Sequence, residues 1–251
     1  MNNYGLVSII SPCYNCGDFI AQTIQSVIDQ TYDNWELLIV DDCSTDDSAK
    51  IVSGFDDSRI KYHKLEKNSG AAIARNLALK MAKGRWIAFL DCDDLWDTEK
   101  LERQLAFMNE NSAAFSYTNY REIDPRGIVL SKRITGPKRI SRTGMLSYCW
   151  PGCLTVMYDA EKIGLFQIPS IRKNNDYALW LMASAKADCR LLDETLASYR
   201  KRPGSISNSS YLKLIKWHYM LFRQVLGAGT VKSLFLTALN LVCGTYKKLV
   251  Y

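Results

Sequence analysis

The chain has 251 residues, 47% of them hydrophobic and 23% charged, which supports one globular unit with a full core and excludes a disordered chain. The formal net charge of +6 is modest, and the cations gather at Lys132-Arg133, at Lys138-Arg139 with Arg142, and from Arg200-Lys201-Arg202 to Lys216. Such a gradient suits an anionic ligand or anionic lipid headgroups and argues against nucleic acid as a partner. Met1-Asn2-Asn3-Tyr4-Gly5 leads into a strand without a basic segment followed by an apolar run, so no secretory signal and a cytoplasmic location are expected. Eight cysteines, at 13, 16, 43, 92, 149, 153, 189 and 243, sit mostly in apolar runs or at strand ends and read as small buried hydrophobes rather than a disulfide framework. Cys13 and Cys16 match a CxxC spacing that Cys149 and Cys153 could complete as a zinc set, but the first pair brackets a turn with another explanation.

From Leu6 to Leu90 short β-branched runs alternate with helical patterns, the signature of βαβ units and a parallel sheet. Leu6–Ile10 reads as a strand; Phe19, Ile20, Ile24, Val27 and Ile28 then recur at helical spacing after a capping Asp18. Glu36–Val40 is the second strand, Thr45–Phe55 a helix, Arg59–His63 a strand, Ala71–Ala82 a helix closed by Gly84, and Arg85–Leu90 the fourth strand. Regular alternation then stops. Thr98–Asn109 is predicted helical, and Ala113–Tyr120 and Gly127–Arg133 are predicted strands joined by the Asp124-Pro125-Arg126-Gly127 turn. Leu154–Tyr158 is expected to return to a mixed sheet, and Asp176–Ala187 to form a helix.

After Ser209 two helical halves follow, Tyr211–Leu226 and Val231–Tyr251. Their longest uncharged stretch, Ser233 to Tyr246, is shorter than the roughly 20 apolar residues a spanning helix needs. The tail can lie on a membrane surface or cover the core, and the pattern leaves both readings open.

Two acidic loops directly follow apolar strands: Leu37-Leu38-Ile39-Val40 runs into Asp41-Asp42-Cys43-Ser44-Thr45-Asp46, and Trp86-Ile87-Ala88-Phe89-Leu90 into Asp91-Cys92-Asp93-Asp94. Open α/β sheets bind ligands at the carboxyl ends of their strands, so these carboxylates are expected to meet in one crevice. Carboxylates so close repel unless a cation sits among them, which reads as a divalent metal with a phosphorylated ligand. Asp91 and Asp93, two apart on an extended segment, are expected to face the same side. Hard oxygen ligands suit Mg²⁺ or Mn²⁺, with phosphate and water completing the shell.

In their order, Pro12-x-Tyr14-Asn15, Asp41-Asp42-x-Ser44-Thr45-Asp46, Asn68-x-Gly70-x-x-x-Ala74-Arg75-Asn76 and Asp91-x-Asp93-Asp94 closely resemble the family 2 glycosyltransferases. Asn175-Asp176-Tyr177 and Gly204-Ser205-Ile206-Ser207 also fit, and the resemblance covers residues 6 to 208. It implies an α/β fold of the GT-A, nucleotide-diphospho-sugar transferase type: a mixed, mostly parallel sheet flanked by helices. Residues 1–208 would form that unit, with 1–95 as the nucleotide-binding half and 96–208 as the acceptor half, and 209–251 an amphipathic helical tail.

The resemblance also implies roles. Pro12 and Tyr14 would wall the nucleotide, with Asn15 also on the nucleotide side, and Asp42 would accept from a base N–H; Pro12 and Asn15 could instead only shape a turn, and Asp46 reads better as a helix cap. Gly70, Arg75, Asp91 and Cys92 fall on the donor side, with Asp93, aided by Asp91, as metal ligand. Asp176 matches the base that strips the acceptor hydroxyl, although locally it reads equally well as a helix N-cap. Many relatives carry a His where this chain has Arg202, which could neutralise a diphosphate but not ligate a metal; with Ser205 it lies on a loop, Arg200–Ser207, suited to closing over the donor. Tyr148 and Trp150 are candidates for stacking on an acceptor sugar or for core packing.

The implied enzyme is inverting and metal-dependent. It would transfer a sugar from a nucleotide donor, UDP-linked by expectation, to a lipid-linked glycan in bacterial surface-polysaccharide assembly, with peripheral contact at the inner membrane face. A nucleotidyltransferase of related fold would need a Gly-rich basic phosphate loop that Ser11–Asn15 does not supply. A dead binding module would be expected to lack Asp93 or Asp176.

Overall fold

A computed structural model describes residues 3–169, 171, 173–202 and 211–250. Four strands, β1 (Val7–Cys13), β2 (Trp35–Asp41), β3 (Ile60–Lys64) and β4 (Trp86–Phe89), run parallel in the order β3-β2-β1-β4. Helices α1 (Ile20–Ile28), α2 (Ser48–Ser53) and α3 (Ala71–Met81) connect them. Because side chains alternate across a strand, Val7, Ile9, Leu37 and Ile39 pack with Ile20, Ile24 and Val27 of α1, while Ile10, Leu38 and Val40 pack with Ala74 and Ala78 of α3. Both faces of β2 and β4 are covered, which is why Leu37–Val40 and Trp86–Phe89 are uninterrupted apolar runs, whereas the edge strand β3 is partly exposed and mixed in character.

The second half comprises β5 (Leu95–Trp96), α4 (Lys100–Glu110), β6 (Phe115–Ile123), β7 (Val129–Ile134), β8 (Arg139–Ile140) and α5 (Arg142–Ser147). A 3-10 turn at Cys153–Thr155, β9 (Met157–Asp159), α6 (Ala160–Ile163), α7 (Asn175–Ala183) and β10 (Cys189–Arg200) follow. The sheet continues β4-β9-β6-β10-β5, with β9 antiparallel to both neighbours and β10 parallel to β6, so it is mixed as expected. Helices α8 (Tyr211–Leu226) and α9 (Thr230–Val250) close the described chain; Leu221, Phe222 and Leu236 join Tyr177 and Trp180 in the α3-side core.

Several boundaries differ from expectation for local reasons. β1 extends to Cys13 because Ser11, Pro12 and Cys13 keep partners in β2, while the β4 ladder ends at Ile10; Pro12 thus sits where the strand has one neighbour, which tolerates a residue without an N–H. Gly84 does not close α3, which ends at Met81. A Cβ there would meet Leu6 O and Ser8 N at 2.6 Å, so glycine is required by that close approach. Asp18 is exposed and caps nothing: α1 starts where Cys16 O accepts from Phe19 N and Ile20 N, both at 2.9 Å. All eight cysteines are free, and among the described residues no group of three His, Cys, Asp or Glu could hold a metal.

Candidate active site

The ends of β1 and β2 are tied together by side chains. Asp42 N donates to Cys13 O at 2.8 Å, Asn15 N donates to Ser44 Oγ at 2.9 Å, and Asn15 Oδ1 accepts from Thr45 N at 2.9 Å. Asn15 holds the left-handed conformation (φ 49°) that asparagine tolerates. Tyr14 beside it is 47% exposed, free to present its ring to a ligand. Asp46 accepts from Ser48 N at 3.0 Å and from Gly17 N at 2.8 Å and so links the two loops; the N-cap position of α2 is held by Asp47, so Asp46 is not the helix cap the sequence favoured.

Asp41 and Asp42 divide their work. Asp41 is fully buried, accepting from Ser44 N at 2.8 Å, from Ser44 Oγ at 2.6 Å and from the Tyr62 hydroxyl. Asp42 accepts from Ser69 N at 2.6 Å through one oxygen and from Gly70 N at 2.7 Å through the other. Gly70, at φ 92°, takes a backbone conformation closed to most side chains and presents its amide to Asp42 as α3 begins.

The Asp91-Cys92-Asp93-Asp94 segment is a turn, closed by Asp94 N donating to Asp91 O at 3.0 Å, and not the extended segment that the two-residue spacing suggested. Asp91 and Asp93 therefore do not share one partner. Asp91 pairs with Arg75, while Asp93 Oδ2 accepts from Arg202 Nε at 2.6 Å. Cys92 is buried with its Sγ 3.2 Å from Ser11 Oγ, so any ligand contact there falls to its backbone. Asp94 is buried and accepts from Arg200 N at 2.8 Å, and Arg200, also buried, donates from Nε to Asp93 O at 2.8 Å. Burial, then repulsion from Asp91, pushes the Asp93 carboxyl up despite Arg202; burial, Asp93 and Asp91 push Asp94 well up. Asp93 and Asp94 are thus under-neutralised; among the described residues no three such groups converge on one metal position, but carboxylate oxygens suit a divalent cation that completes its shell from phosphate and water.

Arg75 joins this turn to the start of α7. It is 5% exposed, and donates to Asp91 Oδ1 from one terminal nitrogen and to Asn175 Oδ1 from the other. Asn175 opens α7 after Asn174, which is left-handed at φ 59° with no side-chain cap bond. Asp176 therefore lies within the first turn of α7 and is not its N-cap. Its carboxyl is pushed up by burial, with the Arg75 charge opposing the shift.

Tyr148 and Trp150 meet edge to face with ring centroids 5.2 Å apart; Trp150 belongs to the core and its carbonyl accepts from Lys247 Nζ at 3.1 Å. Ser205 and the rest of Gly204–Ser207 lie outside the described residues, as does Arg172. Sequence reasoning gave no role to Asn175 or Asp94, which stood inside quoted motifs, and set Arg200 at the start of a closing loop; Arg200 instead ends β10 and is buried.

The parallel half of one mixed sheet, with carboxylates following its strand ends, is an arrangement of the GT-A-like α/β type. Residues 8–157 match the family model described as Glycosyl transferase family 2, and the chain belongs to that family. TuaG of Bacillus subtilis, a glycosyltransferase named for teichuronic acid biosynthesis, is 44% identical over 223 residues, covering 88% of each chain. WfgD of Escherichia coli, a UDP-Glc:alpha-D-GlcNAc-diphosphoundecaprenol beta-1,3-glucosyltransferase, is 42% identical over 216 residues, covering 85% of this chain and 84% of its own. Among solved structures, S. aureus TarS 1-349 in complex with UDP-GlcNAc matches with a TM-score of 0.72 at 23% identity, covering 90% of this chain and 69% of that one. At that identity the likeness speaks for the fold alone.

Proposed function

We propose that the protein is an inverting, metal-dependent glycosyltransferase that moves a sugar from a UDP-linked donor to a hydroxyl of a lipid-linked glycan, forming a β-linkage in surface-polysaccharide synthesis. The carrying observation is Arg75, which ties Asp91 on the donor side to Asn175, the residue before Asp176. The names of TuaG and WfgD support the polysaccharide setting, the UDP donor and the diphospholipid acceptor.

In this reading Tyr14 and Pro12 wall the base, and Asp42 uses a lone pair left over from Ser69 and Gly70 to accept from the base N–H. Asp93, with Asp91, would hold Mn²⁺ or Mg²⁺, which when bound supplies positive charge to the leaving diphosphate. Arg202, resting on Asp93, is a second cation within reach of that diphosphate. Asp176 takes the proton from the acceptor hydroxyl as its oxygen bonds to the anomeric carbon. The bond from that carbon to the phosphate oxygen breaks on the opposite face, and UDP leaves with the electron pair. Burial makes Asp176 a stronger base, and the Arg75 charge opposes that shift.

The test is transfer from a panel of UDP-sugars to a diphospholipid-linked N-acetylglucosamine acceptor, with the anomeric configuration of the product read by NMR. A β-linked product from one α-linked donor is expected. An α-linked product, or no transfer from any UDP-sugar, would refute the reading.

A further inference from the structure

α9 is amphipathic in the reverse sense. The side it lays on the body carries Ser233, Thr237 and Asn240, exposed by 0%, 3% and 3%, with Leu236 among them. Each polar group there is satisfied. Ser233 Oγ donates to Ala228 O at 3.3 Å, Thr237 Oγ1 to Ser233 O at 2.7 Å, and Asn240 Nδ2 to the Tyr177 hydroxyl at 3.0 Å. The opposite side is apolar. Val231, Phe235, Val242 and Tyr246, in helical register with one another, are exposed by 82%, 66%, 67% and 55%, and Leu234 beside them by 54%. A contiguous apolar row facing outward on a helix whose inward face is polar marks a contact with something apolar.

Charge decides what that is. From Thr195 to Tyr251 the sequence holds nine of the 32 Lys and Arg and none of the 26 Asp and Glu. Lys232, next to Val231 on α9, is exposed, as are Lys216 and Arg223 on α8, the helix packed against α9. A second copy meeting this face about a two-fold axis would bring cations against cations. A bilayer of anionic lipids offers hydrocarbon to the row and phosphate to the cations. No helix is long and apolar enough to cross a membrane among the described residues, so the row lies in the interface plane.

We propose that the outward face of α9 is a docking surface for anionic membrane, sinking Val231, Leu234, Phe235, Val242 and Tyr246 into the headgroup boundary. The inference rests on the proposed lipid-linked acceptor only for its purpose. α9 is bonded to Tyr177 through Asn240 and to Trp150 through Lys247, so a docked α9 holds the α7 start, where Asp176 sits, next to the lipid surface.

Flotation of the full chain with vesicles tests this, comparing phosphatidylglycerol-containing with pure phosphatidylcholine vesicles. The wild type is expected to float with the anionic vesicles and to be released by salt. A Phe235→Glu, Val242→Glu double variant should partition roughly tenfold less or lower. Both proteins should respond equally to UDP in thermal unfolding, which shows that the variant is folded. A Phe235→Trp variant gives a second readout: its emission should shift to the blue on anionic vesicles. Absence of flotation and of that shift in a folded protein overturns the proposal, as does a wild-type dimer that the double variant dissociates. Flotation without transfer to a lipid-linked acceptor keeps the docking surface and sinks the acceptor reading; transfer without flotation does the reverse.

Discussion

The strand ends of β1, β2 and β4 and the helix α9 are built in opposite senses. At the strand ends apolar side chains fill the layers, and carboxylates gather in the loops that follow, where Arg75, Arg200 and Arg202 meet them. In α9 the polar groups bond to the protein's own body and the outward side is apolar. Polar groups gathered at strand ends suit a charged, hydrated ligand; apolar groups on an outer helix face suit a partner that excludes water. An enzyme joining a sugar nucleotide to a lipid-linked glycan needs one of each.

The comparison breaks most sharply at Asp176. Asp176→Asn should lower kcat by about 10²- to 10⁴-fold, while stabilisation by UDP persists because the donor carboxylates are intact. Since burial raises the Asp176 pKa, the base form is lost as pH falls through a value above the ordinary carboxylate figure of about 3.9. A wild-type kcat/KM profile that stays flat down to that pH would contradict the role.

Arg75→Met should cost on the order of 2–3 kcal/mol in urea unfolding, because it strands Asp91 and Asn175; the 33% exposure of Asp91 keeps the loss below that of a fully buried pair. Lys100, buried over the Trp96 ring with no hydrogen bond on its ammonium, works the other way. Lys100→Met should stabilise by on the order of 1–2 kcal/mol at neutral pH. Burial lowers the Lys100 pKa in the fold, so the unfolded chain holds the extra proton between the folded value and about 10.4. Wild-type stability should therefore rise with pH across that window relative to the variant. Smallest is Asn240→Ala, about 1 kcal/mol of stability from the polar seat of α9, read by the same unfolding curves.

The first half was legible because its strands are doubly covered and its loops carry charge immediately after apolar runs. β10 was not legible. It pairs with β6 across register shifts between Leu192 and Thr195 and between Thr195 and Ser198, and those irregularities erase the period-two pattern. With β10 went Arg200 and the backbone amide that holds Asp94. The Asp91–Asp93 spacing misled because the segment is a turn, in which residues two apart need not share a side. For the tail, amphipathicity was visible, but a sequence does not say which face turns inward; Asn240 on Tyr177 answers that only in three dimensions.

The most direct measurement of the donor site is thermal unfolding with Mn²⁺ and UDP, on the wild type and on Asp93→Ala. The account predicts that UDP stabilises the wild type only when the metal is present and that Asp93→Ala abolishes the effect. Equal metal-dependent stabilisation of both proteins, or none of the wild type with any divalent ion, would contradict it.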